Sequence, residues 1–287
     1  MRRIINKIFN DAIVQYAYDC YKKLFMYFFK VHGLNLNDDL RLKIGLFNGL
    51  LHLTKPSLVS YIRGSTPLII KTWDGYKFQI RPGTIDLSLA SLIPEYYVLI
   101  KWFIPNAKGI VIDIGACIGG YTVRANYIAD LVVAIEPNKN NFGILQKNVD
   151  MNVNSEKVIL INKGISDKKG SANLILPKNI KHNVGAFSMI HNIKSDSIIE
   201  KIQVDTLDNI IAYLSLEKIN LIKIDIEGAL VFALKGMINT LKITDKIIVE
   251  IFEENKWLID EIRNLDFKLI DIKDNNYFFI KNHNLNN

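Results

Sequence analysis

Val111-Ile112-Asp113-Ile114-Gly115-Ala116-Cys117-Ile118-Gly119-Gly120-Tyr121-Thr122 is the stretch that decides the fold. Residues 109–114 are nearly all apolar, the pattern of a strand buried on both faces. A glycine turn follows, and residues 121–129 have helical spacing. Glycine at 115 permits a tight turn and lets a ligand approach with no Cβ in the way. Gly119 and Gly120 open the helix, whose first N–H groups have no intrahelical partner. No Gly-Lys-Ser/Thr follows, so this is not a phosphate P-loop. Nor is it G-x-G-x-x-G, because Cys117 occupies the second glycine position. Asp113 ends the strand, where it can accept hydrogen bonds from a ligand's ammonium or from the loop's own N–H groups.

Downstream, strands and helices alternate. Residues 131–135 read as a second buried strand, 138–152 as a helix and 158–161 as a strand. A strand is expected at 172–176 after a Lys169-Gly170 turn, and an irregular, polar stretch over 177–200. Then come a helix at 206–214, a strand at 221–224, a helix at 229–241 and a strand at 246–251. This alternation predicts an α/β fold with a mostly parallel sheet. The runs 267–272 and 277–280 flank Asp274-Asn275-Asn276, and so short a turn joins antiparallel strands. The sheet is therefore expected to end in a reversed β-hairpin.

Two carboxylate positions stand out. Glu136 ends the second strand, 21 residues after Gly115, and Pro137 stops that strand. In nucleotide-binding α/β folds a carboxylate at this place accepts both hydroxyls of a ribose. Glycine turns are common in short βα loops, so the nucleoside reading rests on the bend and Glu136 together. The run Leu221-Ile222-Lys223-Ile224-Asp225-Ile226-Glu227-Gly228 ends an apolar strand in two carboxylates at i and i+2. On an extended chain that spacing puts both on one side. Such a pair can supply a general base, hold a divalent cation or cap the next helix. The spacing does not choose among these.

The upstream part reads differently. Apolar residues recur at three- and four-residue steps over 4–16, an aromatic segment covers 21–31, and a third helical segment covers 38–52. Runs at 67–70 and 76–80 flank Asp74-Gly75, a hairpin signal. A helical segment at 87–103 is broken at Pro94. We expect an N-terminal helical segment over 1–64 and one α/β domain over 65–287. Residues 1–60 hold a net charge of +5 of the whole chain's +7. That excess suits a solvated helical face or contact with a membrane surface; no nucleic-acid partner is expected. The chain has 287 residues, 49% of them hydrophobic, enough for a large core without staples. Cys20 and Cys117 are its two cysteines, which excludes a disulfide framework. No apolar run is long enough for a membrane span, and no h-region with a cleavage site follows Met1-Arg2-Arg3. A cytoplasmic location, possible membrane contact apart, is the expectation.

These residues together resemble the FkbM family of class I S-adenosylmethionine-dependent methyltransferases. The resemblance lies in Asp113-Ile-Gly-Ala-Cys-Ile-Gly119, Ile135-Glu-Pro-Asn138, Gly164-Ile-Ser-Asp167 with Gly170, Val204-Asp-Thr-Leu-Asp208 and Leu221-Ile-Lys-Ile-Asp-Ile-Glu-Gly-Ala229. With Thr84-Ile-Asp86 and Glu95-Tyr96 it spans about residues 81–252, some 60% of the chain. It implies a Rossmann-like methyltransferase sheet, S-adenosylmethionine as methyl donor, and methylation of a hydroxyl on a sugar, glycan or lipid-linked saccharide. It implies donor contacts from Asp113, Gly115, Ala116, Cys117, Gly119, Tyr121, Thr122, Glu136, Pro137, Gly164, Ser166 and Asp225. Asp225 or Glu227 would take the acceptor's proton, with His182, in the loop over 177–200, as a third candidate. Two positions depart from the family: Cys117 stands where Asn is usual, and Leu230 where a second Glu is usual. No metal is expected. The departures keep open a donor-binding module without chemistry.

Overall fold

Strand β4, Ile110–Ile114, is the apolar run quoted above, and in the computed structural model it lies at the middle of a seven-stranded sheet. The structure describes residues 22–23, 25–50, 62, 64–152, 155–177 and 197–282. The expected helix over 4–16, the loop carrying His182 and most of the segment 177–200 lie outside these residues.

The chain divides into two compact units, Met1–Pro94 and Glu95–Asn287. In the first, residues 25–30 are helical. Strand β1, His32–Gly33, precedes helix α1, Leu36–Leu50. β1 pairs with β2, Leu68–Lys71, which pairs with β3, Lys77–Ile80, all antiparallel. The hairpin turn is thus where Asp74-Gly75 placed it, with an unforeseen third strand. Helix α2, Asp86–Ser91, ends at Leu92 in the left-handed region, φ 50°, before Pro94 is reached. Asp86 is fully buried against the guanidinium of Arg81, which donates from Nε and Nη2 at 2.8 Å each. That pairing satisfies both buried carboxylate oxygens, so the Thr84-Ile-Asp86 element is a structural anchor.

The second unit opens with a π-helical turn, Val98–Phe103, continued by Ile104–Asn106. After β4 come α3, Gly120–Asn126; β5, Leu131–Ile135; α4, Lys139–Asp150; β6, Val158–Ile161; β7, Gly164–Ile165; β8, Gly170–Pro177; and β9, Ser197–Asp205. Helix α5, Leu207–Tyr213, leads to β10, Leu221–Ile224, and the last elements are β11, Lys246–Glu250; β12, Phe267–Lys273; and β13, Asn276–Lys281. The sheet order is β12-β13-β11-β10-β4-β5-β6. β11, β10, β4, β5 and β6 are parallel, and β13 enters antiparallel to β11 and β12. The fold is a Rossmann-like α/β sheet with a reversed hairpin at one edge.

One sheet face carries the main core: Ile112, Ile114, Val133, Ile135, Ile222, Ile224, Ile247 and Val249, each almost fully buried. Alternation sends Val111, Asp113, Leu221 and Lys223 to the other face, and Lys223 lies beside Asp113 in the register of β10 and β4.

Three expectations need correction. Residues 197–200, expected to be irregular, begin a strand that runs to Asp205: β9 pairs antiparallel with β8 in a separate small sheet with β7. Leu174, Ile202 and Val204 form its apolar cluster, and the adjacent Ile198 and Ile199 are both exposed, so alternation holds only over the second half of β9. The helix expected over 229–241 is interrupted at Leu234–Gly236 and resumes at Ile238–Lys242. Gly236 abuts the backbone there: a Cβ on it would fall 2.0 Å from the carbonyl oxygen of Ser166. A helix at Leu258–Asn264 was not anticipated.

Candidate functional site

Gly115 leaves β4 at φ 82°, where glycine alone is unstrained. Its N–H and that of Ala116 donate to the carbonyl of Ile135 at 2.9 and 3.1 Å. A Cβ on Gly115 would fall 1.8 Å from the carbonyl oxygen of Asp225. The position a Cβ would take is therefore filled by the loop after β10, so glycine serves close packing there as well as the turn. Cys117 also has positive φ, 51°. Asn tolerates that region better than most residues, which gives a backbone reason for the family's usual Asn. Gly119, φ 93°, then opens α3.

Glu136 is aimed at this bend. Its Oε2 accepts from the N–H of Cys117 at 2.9 Å and its Oε1 from the N–H of Asn138 at 2.8 Å. Asn138 in turn caps α4, its Oδ1 accepting from the N–H of Asn141 at 2.9 Å. The Glu136 side chain is nearly buried. Burial pushes its carboxyl up to about 7, against the opposing pull of the two N–H groups. A carboxylate offers about four lone-pair directions, so these bonds leave it acceptor capacity for a ligand.

A cleft opens over the bend. Ile114, Gly115 and Cys117 floor it, Glu136, Pro137 and Asn141 form one side, and Asp225, Ile226 and Glu227 the other. Lys163, Gly164 and Leu174 line the end beyond β6. Of the sequence-predicted residues, Gly115, Cys117, Glu136, Pro137, Gly164, Asp225 and Glu227 thus meet at one cleft. Asp113, Ala116, Gly119, Tyr121, Thr122 and Ser166 are not among its lining. Asp113 is buried behind the bend, its Oδ2 accepting from the Thr122 hydroxyl at 2.6 Å. Burial raises its carboxyl to about 6. Both residues lock strand to helix. Ser166 donates its N–H to the Asp205 carbonyl at 2.9 Å and its hydroxyl to Asp167.

The two carboxylates after β10 are not on an extended chain. The strand stops at Ile224, and Glu227 starts a 3₁₀ turn at φ 51°. The residue before that turn, Ile226, provides no side-chain cap, so neither acid caps the helix. Lys223, fully buried, places Nζ 3.3 Å from Oδ2 of Asp225 and 5.2 Å from the Tyr121 ring centre. The Tyr121 hydroxyl donates to Oε2 of Glu95 at 2.6 Å. Burial and the charge of Asp225 raise the Glu227 carboxyl to about 7. Glu250 ends β11 beside Asp225, since Ile224 registers with Val249; burial and the Asp225 charge hold its carboxyl above the usual range. Among the described residues, no group of three or more His, Cys, Asp or Glu is arranged to hold a metal ion.

Sequence reading missed Lys223, Glu250, Lys163 and Asn141. Lys223 had a signal: a cation inside an otherwise apolar strand is rarely buried without carboxylate partners. The other three are ordinary polar residues brought in by topology.

The sequence profile of the family described as Methyltransferase FkbM domain matches residues 113–279. A crystal structure of methyltransferase FkbM from Methylobacillus flagellatus is 20% identical with a TM-score of 0.42, covering 60% of this chain and 44% of that one. This chain therefore corresponds to less than half of that protein's length. An rRNA methylase from Streptococcus thermophilus is 13% identical with a TM-score of 0.39, covering 66% and 93%. TrmK from M. capricolum, solved with S-adenosyl-homocysteine, is 13% identical with a TM-score of 0.35, covering 61% and 62%. No curated protein matches the chain. The profile takes in more than half of the residues, from the end of β4 through β13, and on that ground the chain belongs to the FkbM family of methyltransferases.

Proposed function

We propose that the cleft binds S-adenosylmethionine and that the protein methylates a hydroxyl on a sugar, glycan or lipid-linked saccharide. The observation that carries this is Glu136, nearly buried, tied to the glycine bend and lining the cleft with acceptor capacity to spare. A ribose diol donating to Glu136 would favour its ionised form and draw off the proton that burial retains. The residues fit the donor at both ends: a diol acceptor at β5 and carboxylates at β10 for a cationic group.

S-adenosylmethionine supplies a methyl group already activated on a sulfonium, so alignment is the protein's main contribution, worth roughly 7–11 kcal/mol in favourable cases. The chain's own part is to fix the floor with Gly115 and Cys117, grip the nucleoside with Glu136 and remove the acceptor's proton. Asp225 and Glu227 were equal candidates for that removal, and the geometry favours Glu227. Asp225 is tied to the buried Lys223, whereas Glu227 lines the cleft with no ion pair among the described residues and a carboxyl near 7. A base poised there suits proton transfer at neutral pH. Methyl transfer is then expected to rise with pH through about 7, as Glu227 loses its proton.

Labelled methyl transfer from S-adenosylmethionine to saccharide extracts tests this reading. Label in the saccharide fraction, falling by roughly 10²-fold or more in E227Q, supports it. Donor bound with no labelled product favours the non-catalytic module instead.

A second reading concerns the N-terminal unit. Leu36, Leu40, Ile44 and Phe47 form one exposed stripe along α1, and Phe25 and Phe29 are exposed as well. Residues 1–60 carry a net charge of +5. An apolar stripe in a segment whose sequence is net positive suits an anionic lipid surface. No helix among the described residues is long and apolar enough to cross a membrane. Sedimentation with anionic vesicles, compared between the native chain and L40E/I44E, tests it; unchanged sedimentation would remove the idea.

A further inference from the structure

The cleft crosses the ends of β10, β4 and β5, neighbours in that order. A nucleoside held at Glu136 on β5, above the bend after β4, has its remaining length directed either towards β10 or towards β6. The β6 end is lined by the apolar Leu174 and by the cationic Lys163, which pairs with Asp205 at 2.8 Å, and neither suits a positive group. The β10 end presents Asp225 and Glu227, which suit the positive sulfonium. The charges that face these two are known from each neighbouring element. On β10 itself Lys223 is fully buried and pairs with Asp225. Glu250 faces from β11, Asp113 from β4, and Tyr121 with its partner Glu95 from α3 and the turn before the π-helix. One buried ammonium thus stands against Asp225, Glu250, Glu95 and Asp113 together, and it leaves Glu227 uncompensated.

We infer that Glu227 makes the cleft select the sulfonium donor over its neutral thioether product, so that transfer of the methyl group loosens the grip on what remains. This rests on the cleft holding S-adenosylmethionine. Donor and product differ by one methyl and one positive charge, while their ribose and adenine are the same. Glu136 therefore holds both alike, and the distinction falls to the β10 end. Because burial and Asp225 raise the Glu227 carboxyl to about 7, the distinction grows as pH passes that value.

The test is calorimetric titration of the full chain with S-adenosylmethionine and separately with S-adenosylhomocysteine, at pH 6 and pH 8. The donor is expected to bind at least tenfold tighter than the product at pH 8, and within about threefold of it at pH 6. In E227Q the two affinities should stay within about threefold at both pH values, with an unfolding midpoint no lower than that of the native chain showing that the fold is kept. The ligand's own amino group titrates near this range, but it does so equally with both proteins, so their difference isolates Glu227. A donor-to-product ratio that ignores pH in the native chain, or that keeps its pH dependence in E227Q, overturns the inference while leaving donor binding intact. Failure of both ligands to bind would instead remove the reading on which it rests.

Discussion

The backbone N–H of Cys117 donates to Oε2 of Glu136 at 2.9 Å, which ties the strained bend after β4 to the carboxylate that ends β5. With Oε1 held by Asn138 at 2.8 Å, one side chain fixes the bend, caps the approach to α4 and lines the cleft. Affinity and local order are therefore coupled at this residue. E136A should weaken binding of S-adenosylhomocysteine by roughly 10–100-fold, the worth of hydrogen bonds to a charged group, and cost about 1–3 kcal/mol of stability from the orphaned N–H groups. Calorimetry and urea unfolding measure the two effects. Unchanged affinity in a folded variant would count against Glu136 as the ribose acceptor.

Lys223 is a second point of leverage. A fully buried ammonium compensates carboxylates on three sides, so removing it leaves uncompensated buried charge. K223M should cost about 3–5 kcal/mol, and K223M/D225N should recover part of that loss. Denaturant unfolding of the native chain and both variants decides it. A single variant as stable as the native chain would show that the charge cluster is relaxed by solvent.

Two glycines should respond in opposite ways to the same change. At Gly115, φ 82°, an added Cβ meets the Asp225 carbonyl at 1.8 Å. G115A should cost roughly 3 kcal/mol or more, from backbone strain and overpacking combined. Gly143 lies inside α4, and an added Cβ there meets nothing within 4 Å. G143A should raise stability by about 0.5–1 kcal/mol, since alanine loses less chain entropy in a helix. Thermal unfolding of both variants checks the pair, and a neutral G115A would contradict the described packing of the β10 loop.

The parallel strands were legible because β4, β5, β10 and β11 are short apolar runs buried on both faces, and glycine or proline punctuates them. The reversed hairpin was legible from Asp274-Asn275-Asn276, of which Asp274 and Asn275 form the turn and Asn276 already pairs in β13. Helical breaks were not: the 3₁₀ turn Leu234–Gly236 falls where Gly236 packs against the Ser166 backbone, a contact no local pattern records. β9 was hidden because the adjacent Ile198 and Ile199 at its start are both exposed, which breaks the period of two there. At the site, residues next to the glycine bend and the strand ends could be read directly. Asp113 and Thr122 were read as ligand contacts, although they bond to each other at 2.6 Å. Their types suit either purpose, and only the direction of the side chain separates them. Glu250 reaches Asp225 through sheet register alone.

The buried acids also set a pH dependence of stability. Burial raises Asp113 to about 6 and Glu136 and Glu227 to about 7, above ordinary unfolded values near 4. The native state then binds more protons than the unfolded chain between about pH 4 and pH 7, so stability falls as pH rises through that window. Without ligand, the unfolding midpoint should be several degrees higher at pH 5.5 than at pH 8. A midpoint that climbs over this range would contradict the burial of these carboxyls in their neutral forms.

The most direct measurement is a crystal structure of the chain grown with S-adenosylhomocysteine. The ribose hydroxyls should lie within hydrogen-bond distance of the Glu136 carboxylate, with the thioether sulfur on the side of Asp225 and Glu227. A nucleoside seated elsewhere, or a Glu136 side chain turned out of the cleft with the ligand bound, would contradict the account.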